Sequence, residues 1–233
     1  MKFIIEDKLF DILPDLYFGL VVAKGIDNAA LEDNLLADFV SAQKNAEERF
    51  AKVDLKKDPS IMPYREAFRT LGINPNKFRC SIEAMIKRIA KGGRIPTINT
   101  MVDLVNTISI NNVLAMGCHD IDAFDSDIWV RYAKQGDVFV PFGSEEEESP
   151  DEGEVVYASG NRIKTRRWIW RQSELGKAVE GTKNFFMPID GFKSKNGQTV
   201  EKAANELAKI IGDTFGVEAK VAFLDKENPS VEI

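Results

Sequence analysis

The sequence predicts an α+β fold in which mixed or antiparallel sheets lie against a helical layer. Three observations lead to this prediction. A strand-like apolar run near the N-terminus is followed by several amphipathic helical segments, and the middle of the chain consists of many short strand-like runs. The two kinds of segment do not alternate regularly, which argues against a doubly wound parallel sheet.

The N-terminal region predicts two strands and a long helix. The apolar run at 16–24 and the shorter run at 3–5 are rich in β-branched and aromatic residues, as buried strands are. Asn28 has the character of a helix N-cap, and residues 29–52 place apolar side chains at three- and four-residue steps. We expect this amphipathic helix to lie on one side of the sheet.

Three further helices are predicted in succession and form the helical layer. Glycines mark the ends of the first two, at Gly72 and Gly92, and Ser81 has the position of an N-cap for the second. The predicted helices cover residues 62–71, 82–90 and a stretch that opens at Pro96 and Thr97.

The part of the chain after Asp120 predicts mostly sheet. The acidic run at 145–154 is interpreted as a solvated loop between strands. The predicted strands are 128–133, 138–142, 154–158, 167–171 and 184–189, followed by a helix at 199–215 and a last strand at 218–224.

Composition limits the possible functions. The chain has 233 residues, of which 44% are hydrophobic, and this is enough for a substantial core. No apolar run approaches the roughly 20 residues of a membrane span, and the N-terminus lacks the features of a secretory leader, so a soluble, cytoplasmic protein is expected. The net charge of −6 argues against broad adhesion to nucleic acid, so any such contact must be local.

His119 is the single histidine and lies in the polar segment Gly-Cys-His-Asp-Ile-Asp at 117–122. It could act as a general base or hold a water molecule, although a structural role for a lone histidine stays open. His119 with Asp120 and Asp122 could also suggest a metal site. Helix capping and turn formation explain the aspartates more simply, so no metal is predicted.

Basic residues concentrate in two places. Lys87 and Arg88 lie close in sequence to Lys91 and Arg94, and a second group spans 162–171, where Trp residues interleave with Arg166 and Arg167. Either group could contact phosphates. The alternative for the second group is an amphipathic strand with one face in water.

Several segments resemble a known family. Pro-Thr-Ile-Asn-Thr-Met-Val-Asp-Leu-Val-Asn at 96–106 and Cys-His-Asp-Ile-Asp at 118–122 resemble segments of the B3/B4 editing domain of phenylalanyl-tRNA synthetase beta subunits. Residues 128–137 and 182–186 resemble later segments of that domain, in the same order. The chain is therefore identified as a free-standing B3/B4-like domain over 1–233, with the similarity strongest from about 81 to 189.

The resemblance implies hydrolysis of the ester of a mischarged aminoacyl-tRNA, without a metal or cofactor. The expected partners are a tRNA or aminoacyl-tRNA 3′ end and an amino-acid-like small ligand, with no DNA and no membrane. Carried over by position, His119 is the expected catalytic residue. The expected substrate-binding residues are Asn106, Asn99 and Thr97, and the candidate tRNA contacts are Arg94, Lys91, Arg166 and Arg167.

The chain departs from the family pattern at two places in the expected pocket. Pro188 stands where the family has a glutamate that recognises the tyrosine hydroxyl, and Gln172-Ser173 stands near the position of a Gly-Gly platform. The stretch from Asn106 to His119 is also two residues longer than in bacterial synthetases. These departures favour an alternative function, in which the domain binds a tRNA end or an amino-acid-like ligand without catalysis.

Overall fold

The structure, a computed structural model, describes residues 1–29 and 32–233 and confirms the predicted α+β fold. These residues form six α-helices and eleven β-strands. The helices are α1 Asp7–Ile12, α2 Asp33–Phe50, α3 Met62–Thr70, α4 Ser81–Ile89, α5 Thr100–Asn112 and α6 Lys193–Phe215. The strands are β1 Lys2–Ile5, β2 Leu16–Lys24, β3 Ala115–Met116, β4 His119–Asp120, β5 Ile128–Tyr132, β6 Val155–Ser159, β7 Arg162–Arg166, β8 Arg171–Gln172, β9 Asn184–Phe192, β10 Lys220–Leu224 and β11 Ser230–Glu232.

The described strands form two sheets, in agreement with the predicted mixed or antiparallel sheets. The first has the order β11-β1-β5-β6-β7-β8 and is antiparallel except for the parallel pair β1–β5. The second has the order β10-β2-β9-β3, and the short strand β4 also pairs with β9. All pairs of the second sheet are antiparallel. The long strand β9 pairs with three of its other strands, β2, β3 and β4.

Aromatic side chains connect the two sheets. Phe3 of β1 lies 5.0 Å from the ring of Phe186 on β9 and 6.0 Å from that of Phe18 on β2, in edge-to-face geometry. The same ring stacks on Tyr157 of β6 at 6.0 Å. These contacts, with apolar side chains of α2, α3 and α4, form the larger hydrophobic core. They also bring β6 and β9 close enough to build a shared site.

Helix α6 packs directly onto the backbone of the second sheet. A Cβ on Gly19 of β2 would lie 2.8 Å from Val200, and a Cβ on Gly191 of β9 would lie 2.5 Å from the same side chain. The absence of side chains at these two positions therefore allows the close approach of α6. Apolar residues of α5 and α6 complete a second core on this face.

Three predicted helix starts differ from the observed ones. Asn28 is buried and is not the cap of α2, because its side chain bonds to the main chain of Val179 and Met101. Helix α2 begins at Asp33, and the predicted residues 30–31 lie outside the described residues. Helix α4 already includes Ser81, and α5 begins at Thr100 because the side chain of Asn99 accepts a hydrogen bond from the Val102 amide.

Two predicted strands are also wrong. Residues 138–142 form only isolated bridges, and 167–171 is mostly a tight turn between β7 and β8. Arg167 and Trp168 have φ angles of 45° and 59°, in the left-handed region that L-residues rarely adopt. Hydrogen bonds from their backbone N–H groups to Glu154 and Val155 hold this turn in place. No helix in the described parts of the chain is both long and apolar enough to cross a membrane.

Candidate functional site

A cavity of about 70 Å³ lies where the two sheets meet. The first sheet contributes β6, β7 and β8, and the second contributes β9 and the β3–β4 connection. The first residue of α4 and the tight turn before β8 complete the wall. The lining residues are Ser81, Met116, Gly117, His119, Tyr157, Thr165, Ile169, Trp170, Arg171, Gln172, Pro188 and Asp190.

His119 lies on β4 opposite Phe186 and lines this cavity. Its ring is buried against the rings of Phe124, Tyr157 and Phe186. Burial, with a smaller effect from the charge of Lys164, lowers the pKa of His119 to about 3. The imidazole is therefore neutral at physiological pH.

Gln172 determines which nitrogen of His119 carries the proton. Its Nε2 donates to the carbonyl oxygen of Cys118 at 3.0 Å, which assigns the orientation of the amide group. The same Nε2 lies 3.2 Å from His119 Nδ1, and because an amide nitrogen only donates, Nδ1 accepts. The proton is thus assigned to Nε2. This atom faces the space above Gly117, where a Cβ would lie 2.9 Å from it.

Asp190 is an acidic lining residue that the sequence analysis did not single out. It lies on β9, two positions after Pro188, and its side chain is buried. Oδ1 accepts hydrogen bonds from the Tyr157 hydroxyl at 2.7 Å and from Trp168 Nε1 at 2.6 Å. Burial raises the pKa of Asp190 to about 7, against the opposing effect of these two bonds. An acidic residue inside an otherwise apolar strand was the available sequence signal.

A second depression, which we call the basic groove, adjoins the cavity and has a volume of about 330 Å³. Trp170 lines both, and α4 runs from Ser81 at the cavity to the groove. The groove contains five cations, and four of them have no ion pair with residues 1–29 and 32–233. The groove is lined by Lys77, Arg79, Ala84, Lys87, Arg88, Lys91 and Trp170, and Arg79 is the cation that approaches a carboxylate.

The cations of the basic groove lie close enough to affect one another. Partial burial and the nearby charges of Arg79 and Lys91 lower the pKa of Lys87. Lys87 and Arg88 follow Ala84 by three and four residues on α4, so the three share one side of the helix, and Lys91 follows in the turn after it. An anion bound there would reduce this repulsion.

The family comparison agrees with this architecture. The model of the B3/4 domain family matches residues 63–215, which is more than half of the chain. This chain belongs to the B3/4 domain family. Comparison with curated proteins gave no match for this B3/4 domain.

A solved structure shares the fold of this B3/4 domain. It is the crystal structure of an N-terminal fragment of the phenylalanyl-tRNA synthetase beta-subunit from Pyrococcus horikoshii, with a TM-score of 0.51 and 14% sequence identity. The match covers 92% of the present chain and 49% of that chain. The B3/4 domain thus spans about half the length of the fragment, and the likeness shows the fold alone.

The predicted substrate-binding residues are not grouped around His119 in this B3/4 domain. Asn106 is half-buried on α5 and is not among the described residues that line the cavity. Asn99 and Thr97 line a different cavity of about 110 Å³, near the start of α2. Asn99 is also occupied by its hydrogen bonds to Val102 and Ala178. The cavity that contains His119 therefore does not have Asn106 among its described lining residues, and the substrate-binding role of Asn106 stays a prediction.

The predicted tRNA contacts also divide into two groups. Arg166 and Arg167 are buried, and they pair with Glu154 at 2.8 Å and with Asp151 at 2.5 Å, respectively. Buried cations held by carboxylates are poorly placed to bind phosphate, so the geometry favours a structural role for these two arginines, and their contact with tRNA stays a prediction. Lys91 lines the basic groove, whereas Arg94 is exposed beside Glu47 at 2.8 Å.

The aspartates next to His119 have structural partners. Asp120 accepts hydrogen bonds from the Thr182 hydroxyl and the Asp122 amide. Asp122 accepts from the side chain of Asn184. A search of the described residues found no group of three or more side chains that could hold a metal ion.

Proposed function

We propose that this B3/4 domain acts in the cytoplasm, where it binds the 3′ end of an aminoacyl-tRNA and hydrolyses the aminoacyl ester at the His119 cavity. The observation that carries the proposal is the wall shared by the cavity and the basic groove, formed by Trp170. Phosphates of the tRNA end would lie in the groove, and the aromatic ring of Trp170 offers a surface on which a base can stack.

The volumes of the cavity and of the basic groove suit different parts of an aminoacyl-tRNA end. The cavity, at about 70 Å³, is well below the roughly 300–1,000 Å³ typical of sites that enclose a whole small molecule. It therefore suits part of an amino acid. The basic groove, at about 330 Å³, provides the larger space for the nucleotide portion.

The protonation state of the His119 ring defines its role in hydrolysis. A neutral ring with its proton on Nε2 donates a hydrogen bond towards the cavity and cannot accept a proton at that atom. We assign His119 to binding the ester carbonyl oxygen and stabilising the negative charge that develops when water adds to the carbonyl carbon. The ester C–O bond then breaks, the ribose oxygen takes a proton from the attacking water and leaves as a hydroxyl, and the amino acid leaves as the free acid.

Replacing His119 by alanine tests this assignment. Loss of one oxyanion donor typically lowers the rate by roughly 10²- to 10³-fold, so deacylation of a panel of mischarged tRNAs should fall by that amount. His119→Gln keeps an N–H donor and should recover part of the rate. Unchanged deacylation by the alanine variant, with the fold intact by circular dichroism, would remove His119 from the mechanism.

A second candidate function is ligand binding without hydrolysis. Pro188 and Gln172, the positions at which the chain departs from the family, both line the cavity. Gln172 also uses its side chain to hold His119. Incubation with aminoacyl-tRNAs separates the two functions, because ester loss supports the hydrolase, whereas binding with the ester retained supports the binding module.

A further inference from the structure

The Asp190 carboxylate lines the cavity without a cation to balance it. Oδ1 is held by Tyr157 and Trp168, but Oδ2 has no hydrogen bond to the part of the chain that the structure describes. The same residues provide no ion pair for Asp190. Arg171 also lines the cavity, with its guanidinium 6.0 Å from the centre of the Trp170 ring, and within the described residues no hydrogen bond or ion pair joins it to Asp190.

A buried carboxylate of this kind is costly unless a positive charge approaches it. Removal from water penalises the ionised form, and the raised pKa of Asp190 reflects that penalty. A ligand cation would compensate it with a strong charge-assisted hydrogen bond, since the attraction between charges increases where water is excluded. A neutral hydroxyl would satisfy Oδ2 but would leave the charge unbalanced.

We propose that Asp190 Oδ2 binds the ammonium group of the amino acid that enters the cavity. This inference rests on the proposed function and specifies which part of the aminoacyl group the cavity recognises. An α-amino group has an ordinary pKa of about 7.7–8.0, so it is largely protonated at neutral pH and suits this carboxylate. Asp190 is then a specificity-determining residue, which selects ligands with a free amino group.

The geometry of the cavity supports this assignment. Two rigid donors fix Oδ1, so Oδ2 keeps one orientation and loses little freedom when a ligand binds. His119 Nε2, in the same small cavity, is available for the ester carbonyl oxygen. An α-ammonium group and an ester carbonyl belong to neighbouring carbon atoms, so one aminoacyl group can contact both residues.

The experiment compares ligands with and without the positive charge. The probes are acceptor-stem RNA minihelices that carry alanine, phenylalanine or tyrosine in a stable amide link to a terminal 3′-amino ribose, each with a free or an N-acetylated amino group. The wild-type protein should bind the free form roughly 10- to 100-fold more tightly than the acetylated form, as expected for a hydrogen bond between charged groups. Affinities are measured by fluorescence anisotropy.

Asp190→Asn should abolish this preference. The asparagine Oδ1 can still accept from Tyr157 and Trp168, so the fold is preserved while the charge is lost. Asp122→Asn is the matched control, because it removes one carboxylate charge at an exposed position away from the cavity and should keep the full preference.

Three outcomes would overturn the proposal, and two of them leave the proposed function standing. One is equal affinity of the wild-type protein for free and acetylated probes, and another is a preference that persists in Asp190→Asn. Either result would rule out the ammonium site but would leave the proposed function standing. Failure of every probe to bind would refute both the ammonium site and the proposed binding of aminoacyl ends.

Discussion

At the scale of single residues, burial shifts the pKa values of His119 and Asp190 in opposite directions. The pKa of Asp190 rises from 3.8 to about 7, so the folded state binds more protons than the unfolded state between these values. Stability due to Asp190 therefore falls as the pH rises through this window. The pKa of His119 falls from 6.5 to about 3, so its contribution to stability rises over the same range.

We predict that the two effects nearly cancel in the wild-type protein between about pH 4 and 6.5. Asp190→Asn leaves the effect of His119, so the free energy of unfolding should increase with pH by as much as about 1.4 kcal/mol per unit relative to wild type. His119→Gln leaves the effect of Asp190 and should give the opposite slope. Urea unfolding at half-unit pH steps measures both, and parallel curves for the two variants would contradict the prediction.

The residues of the cavity also show which parts of the site a sequence can reveal. His119 stands out as the single histidine in a polar junction, and the cavity does form around it. Asn106 was grouped with it by family resemblance, but Asn106 is not among the described residues that line the His119 cavity. Asp190 was missed because its significance depends on Tyr157 and Trp168, which are distant in sequence.

At the scale of the elements, regular periodicity was predictable and turn geometry was not. Strand β2 and helix α3 lie close to their predicted bounds, since a continuous apolar run identifies the strand and Gly72 marks the end of the helix. The segment at 167–171 alternates like a strand, yet long-range bonds to Glu154 and Val155 force Arg167 and Trp168 into left-handed conformations. Such tertiary contacts override local patterns, and no single segment contains them.

The contact of α6 with the second sheet provides a stability prediction. Gly191→Ala places a methyl group 2.5 Å from Val200 and 2.8 Å from the side-chain oxygen of Asn196. We expect this overpacking to lower the free energy of unfolding by about 1–3 kcal/mol. Chemical denaturation monitored by Trp fluorescence is the measurement.

Gly212→Ala is the contrasting substitution within α6. A Cβ at this position would lie 3.8 Å from the nearest atom, the carbonyl oxygen of Val217. Alanine is also favoured over glycine inside a helix. This variant should be stabilised by up to about 1 kcal/mol. Similar changes in both variants would mean that close packing at Gly191 is not what determines the distance between α6 and the sheet.

At the scale of the whole molecule, an acidic protein presents one local basic surface. The net charge is −6, whereas the basic groove contains five cations. The groove lies beside the cavity in which the ligand ammonium group is proposed to bind Asp190. The overall charge repels nucleic acid at long range, so the proposed RNA binding would depend on the groove and on salt screening. We therefore expect selectivity for an RNA end over extended duplex, because the rest of the chain carries a net negative charge.

The salt dependence of RNA binding should therefore come from few residues. Each phosphate contact contributes roughly 0.7 to the slope of log affinity against log salt for a single strand. Lys87→Gln and Lys91→Gln should each weaken binding of an acceptor-stem minihelix and reduce the slope by about that amount. Lys202→Gln, at an exposed position on α6 outside the groove, should leave the slope unchanged. If all three variants lowered the slope equally, the contact would be a diffuse surface effect. A loss confined to Lys87 and Lys91 would instead place the RNA along α4, with its end directed to Trp170 and the His119 cavity.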